Sequence, residues 1–365
     1  MEIAILTSSR ADFGFYKPLL NLLKNENQIN FKLIVFGTHL SHDHGFTLND
    51  IIKSGYENIV KVSAIPHGDK AIDITKTIAN THIVFADFWD NNKFDLIICI
   101  GDRYEMFASV SASIPFNIPV AHISGGEETL GAIDNIYRHC LTIMSSYHFT
   151  NTESNAQRVK QLKGSSKNIF CTGSLAVDNI NETKLYHVSD FRDKFKFDIS
   201  NPFILFTFHP ETVNYMKNKE YGEVIEDVLS QINYSVLVTM PNADTMGGVI
   251  REALHKAAAN NNRIHLIESL GSAGYYTALK NCLFVLGNSS SGIIEAASFE
   301  KYVINLGSRQ LGREAGENVI HCKIKQKEIF DTIDKIEALP KLDAGNIYGS
   351  GDASVKILKV LKKVI

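Results

Sequence analysis

Residues able to do chemistry collect behind the apolar runs of this chain. Asp102 closes "FDLIICIGD" and is followed by Arg103 and Glu105. Glu127 and Glu128 follow the Gly125-Gly126 turn after "IPVAHIS", and Asp134 opens the next helical stretch with Arg138 and His139 one turn on. His209 stands between "FILFTF" and Pro210. Carboxylates and a histidine drawn together without a metal motif are the groups that proton abstraction and proton return require. Singly, each has a plainer role: Asp134 as a helix N-cap, His209 as a satisfied turn histidine, Glu127 as a surface charge. As a set they argue for acid–base work.

A second set suits an anion. "GNSSSG" (287–292) is neither GxGxxG nor GxxxxGK[ST], so the standard dinucleotide and P-loop fingerprints are absent. It nevertheless places small residues, hydroxyls and backbone N–H groups at the start of a helix, where the dipole favours phosphate. Capping that helix needs only one serine, and three stand in a row. Glu295 lies a little over one turn further, within reach of a ribose hydroxyl. Arg10 in "SSRAD" and Arg309 and Arg313 in "GSRQLGRE" add planar cationic forks suited to phosphate oxygens. The two sets read together as diphosphate binding plus proton transfer. "THLSHDH" groups His39, His42, Asp43 and His44, but no distant cluster completes a ligand set, so no metal is expected.

These residues need strands and helices to position them. Apolar β-rich runs alternate with helical segments throughout: "EIAILTS", 12–25, "FKLIVFG", 44–53, 70–92, "DLIICIG", 103–113 and "IPVAHIS". A second series starts near Pro202 with "FILFTFHP", a helix near 220–231, "YSVLVTMP", a helix near 246–259, "CLFVLG", the helix opening at Ser290, and "YVINLG". Such alternation marks parallel sheets covered by helices on both faces, and the chain reads as two Rossmann-like doubly wound α/β units in tandem. The expected division is 1–180, a polar join at 181–201, 202–345, and a terminal helix in 346–365. In that last helix the spacing predicts Val355, Leu358, Val360 and Leu361 on the inward face.

Composition narrows the function classes. A chain of 365 residues exceeds what one core usually serves. A net charge of −3 with no basic block removes the electrostatic case for nucleic acid. No window reaches membrane-spanning length and the start lacks a signal peptide, so a cytoplasmic protein is expected. The five cysteines are dispersed without a CxxC pair, which excludes a zinc ribbon or redox motif. Cys99 and Cys282, inside apolar runs, are expected to act as small hydrophobes.

Motifs along nearly the whole chain resemble the hydrolysing UDP-N-acetylglucosamine 2-epimerases and, more distantly, their non-hydrolysing relatives. They are "SRADFG", "GTHLS", "GDRYE", "HISGGEETLGAIDNIYRH", "GSLAVDN", "FHPET", "NAD", "GNSSSGIIE", "NLGSRQLGREAGENVI" and "NIYGSGDASVKILKVLK". The resemblance implies two Rossmann-like domains facing a cleft, the glycosyltransferase-B arrangement, with UDP on the C-terminal half and the last helix returning to the first domain. It implies anti elimination of UDP to 2-acetamidoglucal and then hydration to N-acetylmannosamine, the start of sialic acid synthesis, without NAD or metal, in a homodimer.

Carried over by motif, Ser289, Ser290, Glu295, Arg309, Arg313, Asn242 and His209 hold the uridine diphosphate and Arg10 reaches its phosphates. Asp102, Glu127, Asp134 and His209 serve the proton transfers. The non-hydrolysing pattern "HVEAG" has a glutamate where this chain has Ser124 in "HISGG", which leaves open which carboxylate is the base. The competing readings are a 2-epimerase acting on UDP-N,N'-diacetylbacillosamine, a glycosyltransferase of the same fold, and a non-catalytic nucleotide-sugar sensor.

Overall fold

Ile3 and Ile5 lie in one apolar cluster while Ala4 and Leu6, their neighbours in the chain, lie in another. Successive side chains of a strand point to opposite faces, so this first strand is covered on both sides, which is why it reads as an unbroken apolar run. The same holds for Ile204 and Phe206 against Phe203 and Leu205. The computed structural model describes residues 1–364 apart from 43–44, 67, 69, 214, 242–246 and 344.

Among the described residues the strands form two sheets. β1 (Glu2–Thr7), β2 (Asn30–Val35), β3 (Ile59–Lys61), β4 (Leu96–Ile100), β5 (Val120–Ile123), β6 (Tyr147–Thr150) and β7 (Ile169–Cys171) pair in the order β3-β2-β1-β4-β5-β6-β7. β8 (Phe203–Thr207), β9 (Ser235–Thr239), β10 (Ile264–Ile267), β11 (Val285–Gly287), β12 (Val303–Leu306) and β13 (Val319–Cys322) pair as β10-β9-β8-β11-β12-β13. Every pairing is parallel. The fold is thus α/β with two Rossmann-like doubly wound sheets, as the sequence pattern implies.

Strand order reverses between β1 and β4 in the first sheet and between β8 and β11 in the second. Loops leaving the carboxyl ends of strands at such a reversal diverge, and the space they leave is where ligands bind. The loops at these reversals carry residues singled out above: Arg10, Asp102 and Arg103 in one sheet, His209, Ser289 and Ser290 in the other.

The chain divides into two compact units, one of residues 1–127, 134–181 and 348–365, the other of residues 128–133 and 182–347. The stretch 181–201, read as a polar join, carries the helix Val188–Phe195, and its Phe191 is buried in one cluster with Phe203 and Leu205. Dense charge around its two phenylalanines, Phe191 and Phe195, hides the helix in the sequence. The short segment 128–133 interrupts the first unit between β5 and the helix Asp134–Met144. Within the second unit, Leu130 N–H donates to the Leu311 carbonyl at 2.8 Å. A Cβ on Gly131 would lie 2.3 Å from the Ser308 carbonyl oxygen, so only glycine permits that approach.

The terminal helix, Ala353–Val364, packs on the helix Arg10–Leu23. Of the expected inward face, Leu361 enters the core and the partly buried Leu358 and Val360 pack against it, but Val355 is 56% exposed and Ala353 and Ile357 are buried instead. The i, i+4, i+8 spacing of the true face was masked by apolar residues on both sides of it. Asp178 fixes the start of this helix, accepting from Ala353 N–H at 3.0 Å and Ser354 N–H at 2.7 Å. Cys99 and Cys282 are buried free thiols, as expected of small hydrophobes. No helix among the described residues is long and apolar enough to cross a membrane.

Gly287 ends β11 at φ +144, and a Cβ there would sit 1.9 Å from the Thr207 carbonyl oxygen. Neither strand can give way inside the sheet, so Gly287→Ala is expected to destabilise the protein by about 3 kcal/mol or more. Chemical denaturation checks this; a loss within experimental error of zero would refute it.

Candidate active site

In the first unit, Ser9 caps the helix Arg10–Leu23 and Asp12 completes a capping box. Asp12 does more than cap: its carboxylate accepts from Ser8 N–H and Ser8 Oγ, both at 2.9 Å, and from Thr7 Oγ1. Burial pushes the Asp12 carboxyl up, but hydrogen bonds and the nearby His39 outweigh it and hold the group below its ordinary value. His39 is wholly buried, with Nε2 2.9 Å from Thr7 Oγ1 and Nδ1 2.7 Å from Thr47 Oγ1. Both ring nitrogens are thus engaged inside the protein, and Asp43 and His44 of the same histidine-rich stretch lie outside the described residues. The network stiffens the loop that presents Arg10, which is exposed.

The carboxylates are gathered by one guanidinium. Arg138, 2% exposed and one turn into the helix Asp134–Met144, forms an ion pair with Asp102 and donates from Nη1 to the Glu127 carbonyl at 3.2 Å. It therefore ties the end of β4, the turn after β5 and the helix that begins with Asp134. Asp134 is pushed up to about 6, first by burial and second by the charge of Asp102, against the pull of Arg103 and Arg138. Glu127 is buried, and its Oε1 accepts from Asn151 Nδ2 at 2.5 Å. Asn151 Oδ1 in turn accepts from Ser124 Oγ at 3.3 Å. Ser124 adopts φ +64, a left-handed conformation that a non-glycine residue holds only when its surroundings fix it.

Two further groups frame this cluster. Arg103 donates to the wholly buried Glu105 through Nε at 3.1 Å and Nη2 at 2.9 Å, a forked pairing that sets its direction. His122, on β5, has Nε2 2.9 Å from the Gly101 carbonyl and Nδ1 3.2 Å from Thr142 Oγ1. Burial pushes His122 down to about 4, so the ring is neutral and acts as a strut between β4, β5 and the helix.

In the second unit, His209 is buried at the end of β8 and is pushed down to about 3, by burial first and by the Arg309 charge second. A neutral imidazole at this place can donate or accept a hydrogen bond. Asn288 clasps its backbone: His209 N–H donates to Oδ1 at 2.7 Å and Nδ2 donates to the His209 carbonyl at 2.8 Å.

The three serines separate into different tasks. Ser289 Oγ caps the helix Ser290–Ile294 by accepting from Ser291 N–H, which leaves its own proton available to a ligand. Ser291 Oγ hydrogen-bonds the Tyr275 hydroxyl, and Ser290 is half-buried at the first helical position. The helix is only five residues long, so backbone N–H groups and hydroxyls, rather than a long helix dipole, supply the positive potential here. Glu295 follows it as the C-cap residue, buried, and accepts from the Tyr276 hydroxyl at 2.9 Å.

Arg309 is half-buried with Nη1 3.5 Å from the Asn288 carbonyl, and Arg313 is half-buried on the same loop. Asn242 lies outside the described residues. The structure therefore collects Asp102, Glu127 and Asp134 in one unit, and His209, Ser289, Ser290 and Arg309 at adjoining strand ends of the other. Sequence reasoning gave no role to Glu211, Asn288, Gln310 or Tyr276, whose partners are distant in the chain. Arg138 was visible only as a basic residue one turn after Asp134.

Residues 21–362 match the family described as UDP-N-acetylglucosamine 2-epimerase. The UDP-N,N'-diacetylbacillosamine 2-epimerase (hydrolyzing) of Legionella pneumophila is 32% identical over 366 residues, covering 100% of this chain and 96% of that protein. The polysialic acid biosynthesis protein P7 of Escherichia coli is 31% identical, with 100% of this chain and 94% of that protein covered. Among solved structures, the UDP-GlcNAc 2-epimerase of Neisseria meningitidis bound to UDP-GlcNAc shares the fold, with a TM-score of 0.85 over 100% of both chains at 18% identity.

Glu295 yields a pH-dependent expectation for the unliganded protein. Burial pushes its carboxyl up to about 7 from 4.5, so the folded chain retains a proton that the unfolded chain releases. The stability associated with this group is greatest below about pH 4.5 and is lost as pH rises to about 7. Glu295→Gln stays neutral and should lose less stability than the parent between ~pH 5 and ~pH 8, the gap approaching roughly 3 kcal/mol. Urea midpoints at the two pH values test this, and parallel losses would contradict it.

Proposed function

The chain belongs to the UDP-N-acetylglucosamine 2-epimerase family, and we propose that it is a hydrolysing member, converting UDP-N-acetylglucosamine and water to N-acetylmannosamine and UDP. The observation that carries this reading is the gathering of Asp102, the Glu127 turn and the Asp134 helix around the buried Arg138. Elimination needs a base for the C2 proton, and the later hydration needs a group to return a proton to C2. Carboxyl groups in unlike environments suit that pair of tasks, and Asp134, pushed up to about 6, exchanges its proton near neutral pH.

In this proposal the second unit holds the leaving group. Ser289 and Ser290 donate to the diphosphate, Arg309 and Arg313 offset its charge, Glu295 and Asn242 take the nucleoside, and neutral His209 contributes a hydrogen bond. Arg10, on the first unit, serves the phosphates. The C2 proton of an acetamido sugar is only weakly acidic. Departure of UDP from C1 as that proton leaves relieves the difficulty, and stabilising the growing diphosphate charge is where the cationic groups act. Water then adds at C1 of the 2-acetamidoglucal as C2 regains a proton, giving the inverted C2 centre.

A second substrate has support of its own. The Legionella relative named as a UDP-N,N'-diacetylbacillosamine 2-epimerase is as similar as any relative described above. The two sugars share the 2-acetamido group and the UDP on which the proposed residues act, so the chemistry is common to both.

Purified protein incubated in D2O with each UDP-sugar separately, and no acceptor, tests the proposal by NMR. Free UDP and a C2-inverted, C2-deuterated free sugar are expected, and the faster substrate is the physiological one. Release of UDP only when an acceptor is supplied would place the chain among glycosyltransferases instead. Asp102→Asn is expected to lower turnover by about 10²–10⁴-fold with UDP affinity nearly intact; undiminished turnover would remove Asp102 from the proton-transfer set.

A further inference from the structure

Glu211 is a carboxylate with no solvent exposure, two residues beyond His209, and the proposed reaction makes no use of it. Its oxygens accept from Ser308 N–H at 2.6 Å and Ser308 Oγ at 2.8 Å. Ser308 immediately precedes Arg309. The Glu211 backbone is fixed in turn by the equally buried Asn218, which accepts from Glu211 N–H and donates to the Glu211 carbonyl, both at 2.9 Å.

The other side of the same loop is fixed from β11. The Asn288 carbonyl accepts from Gln310 Nε2 at 2.9 Å and from Arg309 Nη1 at 3.5 Å, while the Asn288 side chain clasps the His209 backbone. The ends of β8, β11 and β12, consecutive in the sheet, are thereby closed into a ring of hydrogen bonds running Glu211, Ser308, Arg309 and Gln310, Asn288, His209 and back along the chain to Glu211.

A buried carboxylate is expensive unless its bonds are good. Charge-assisted bonds from a backbone N–H and a hydroxyl of one residue are short and directional, and they hold the peptide before Arg309 in one place. We propose that Glu211 is a positioning residue for the nucleotide diphosphate: it fixes the Ser308–Arg309 peptide so that the Arg309 guanidinium meets the phosphates, without touching them itself. The proposal rests on the reading of the second unit as the UDP-binding one.

Calorimetric titration with UDP and, separately, with uridine tests it on the full chain. Glu211→Gln keeps an acceptor for Ser308 N–H and can donate to Ser308 Oγ, so its UDP affinity should stay within about threefold of the parent. Glu211→Met fills similar volume without either bond, and should weaken UDP about 10- to 100-fold while uridine binding changes less than about twofold. Equal losses for UDP and uridine would show general damage to the unit and overturn the proposal, as would a Met variant that binds UDP normally. Should Glu211→Met fail to fold, Ser308→Ala, which deletes one of the two bonds, should cost UDP about three- to tenfold and spare uridine, and unchanged UDP binding would overturn the idea. A parent protein that binds no UDP would instead remove the underlying reading, a result distinct from every variant outcome.

Discussion

A single buried guanidinium organises the first unit. Arg138 brings a positive charge into a region with almost no solvent, which is tolerable only because Asp102 pairs with it and the Glu127 carbonyl accepts from it. The same contacts determine where the neighbouring acids stand. Asp102 is bound to the cation, Glu127 is turned toward Asn151, and Asp134, left beside the Asp102 charge with little water, holds its proton more tightly than an ordinary aspartate. Three side chains of one chemical type thus acquire three different characters, and the differences arise from position alone.

In the second unit, hydrogen bonds order the strand ends. Its strand ends are locked through Asn288 and Glu211, groups that reach backbone atoms and a serine rather than opposite charges. Burial disfavours the charged form of both His209 and Glu295, pushing the histidine down and the glutamate up. Neutral donors and acceptors around a cationic loop suit recognition of a polyanion whose charge should be met mainly by Arg309 and Arg313. Both units place their polar residues at the reversal of strand order, so the same geometric rule would serve the proposed proton chemistry in one and the proposed anion recognition in the other.

The sheets were legible because their strands are covered on both faces and so read as uninterrupted apolar runs bounded by polar turns. The identity of strand-end residues such as Asp102, Glu127 and His209 followed directly. Periodicity served less well where apolar residues crowd a helix, and Val355 was placed inward although Ile357 is the buried residue. The helix Val188–Phe195 escaped notice because its apolar residues are few and stand among charges. Residues that act through distant partners were the least accessible: Glu211 meets Ser308 97 positions away, and Asn288 meets His209 across 79. Nothing local distinguishes such a glutamate from a solvated one. Ser291, the third serine of "GNSSSG", hydrogen-bonds Tyr275, a partner 16 positions away.

The order in which the polypeptide is made bears on the terminal helix. Ala353, Ile357 and Leu361 belong to the same apolar cluster as Ile3, Leu19 and Leu33, and Asp178 has its two N–H partners only once Ala353 and Ser354 exist. During synthesis the amino-terminal sheet therefore emerges first yet lacks part of one covering layer until residues 353–361 are made, while the described strands of the second sheet are all made by Cys322. Nascent chains released early would display the uncovered flank of the helix Arg10–Leu23, a surface on which chaperones and proteases act.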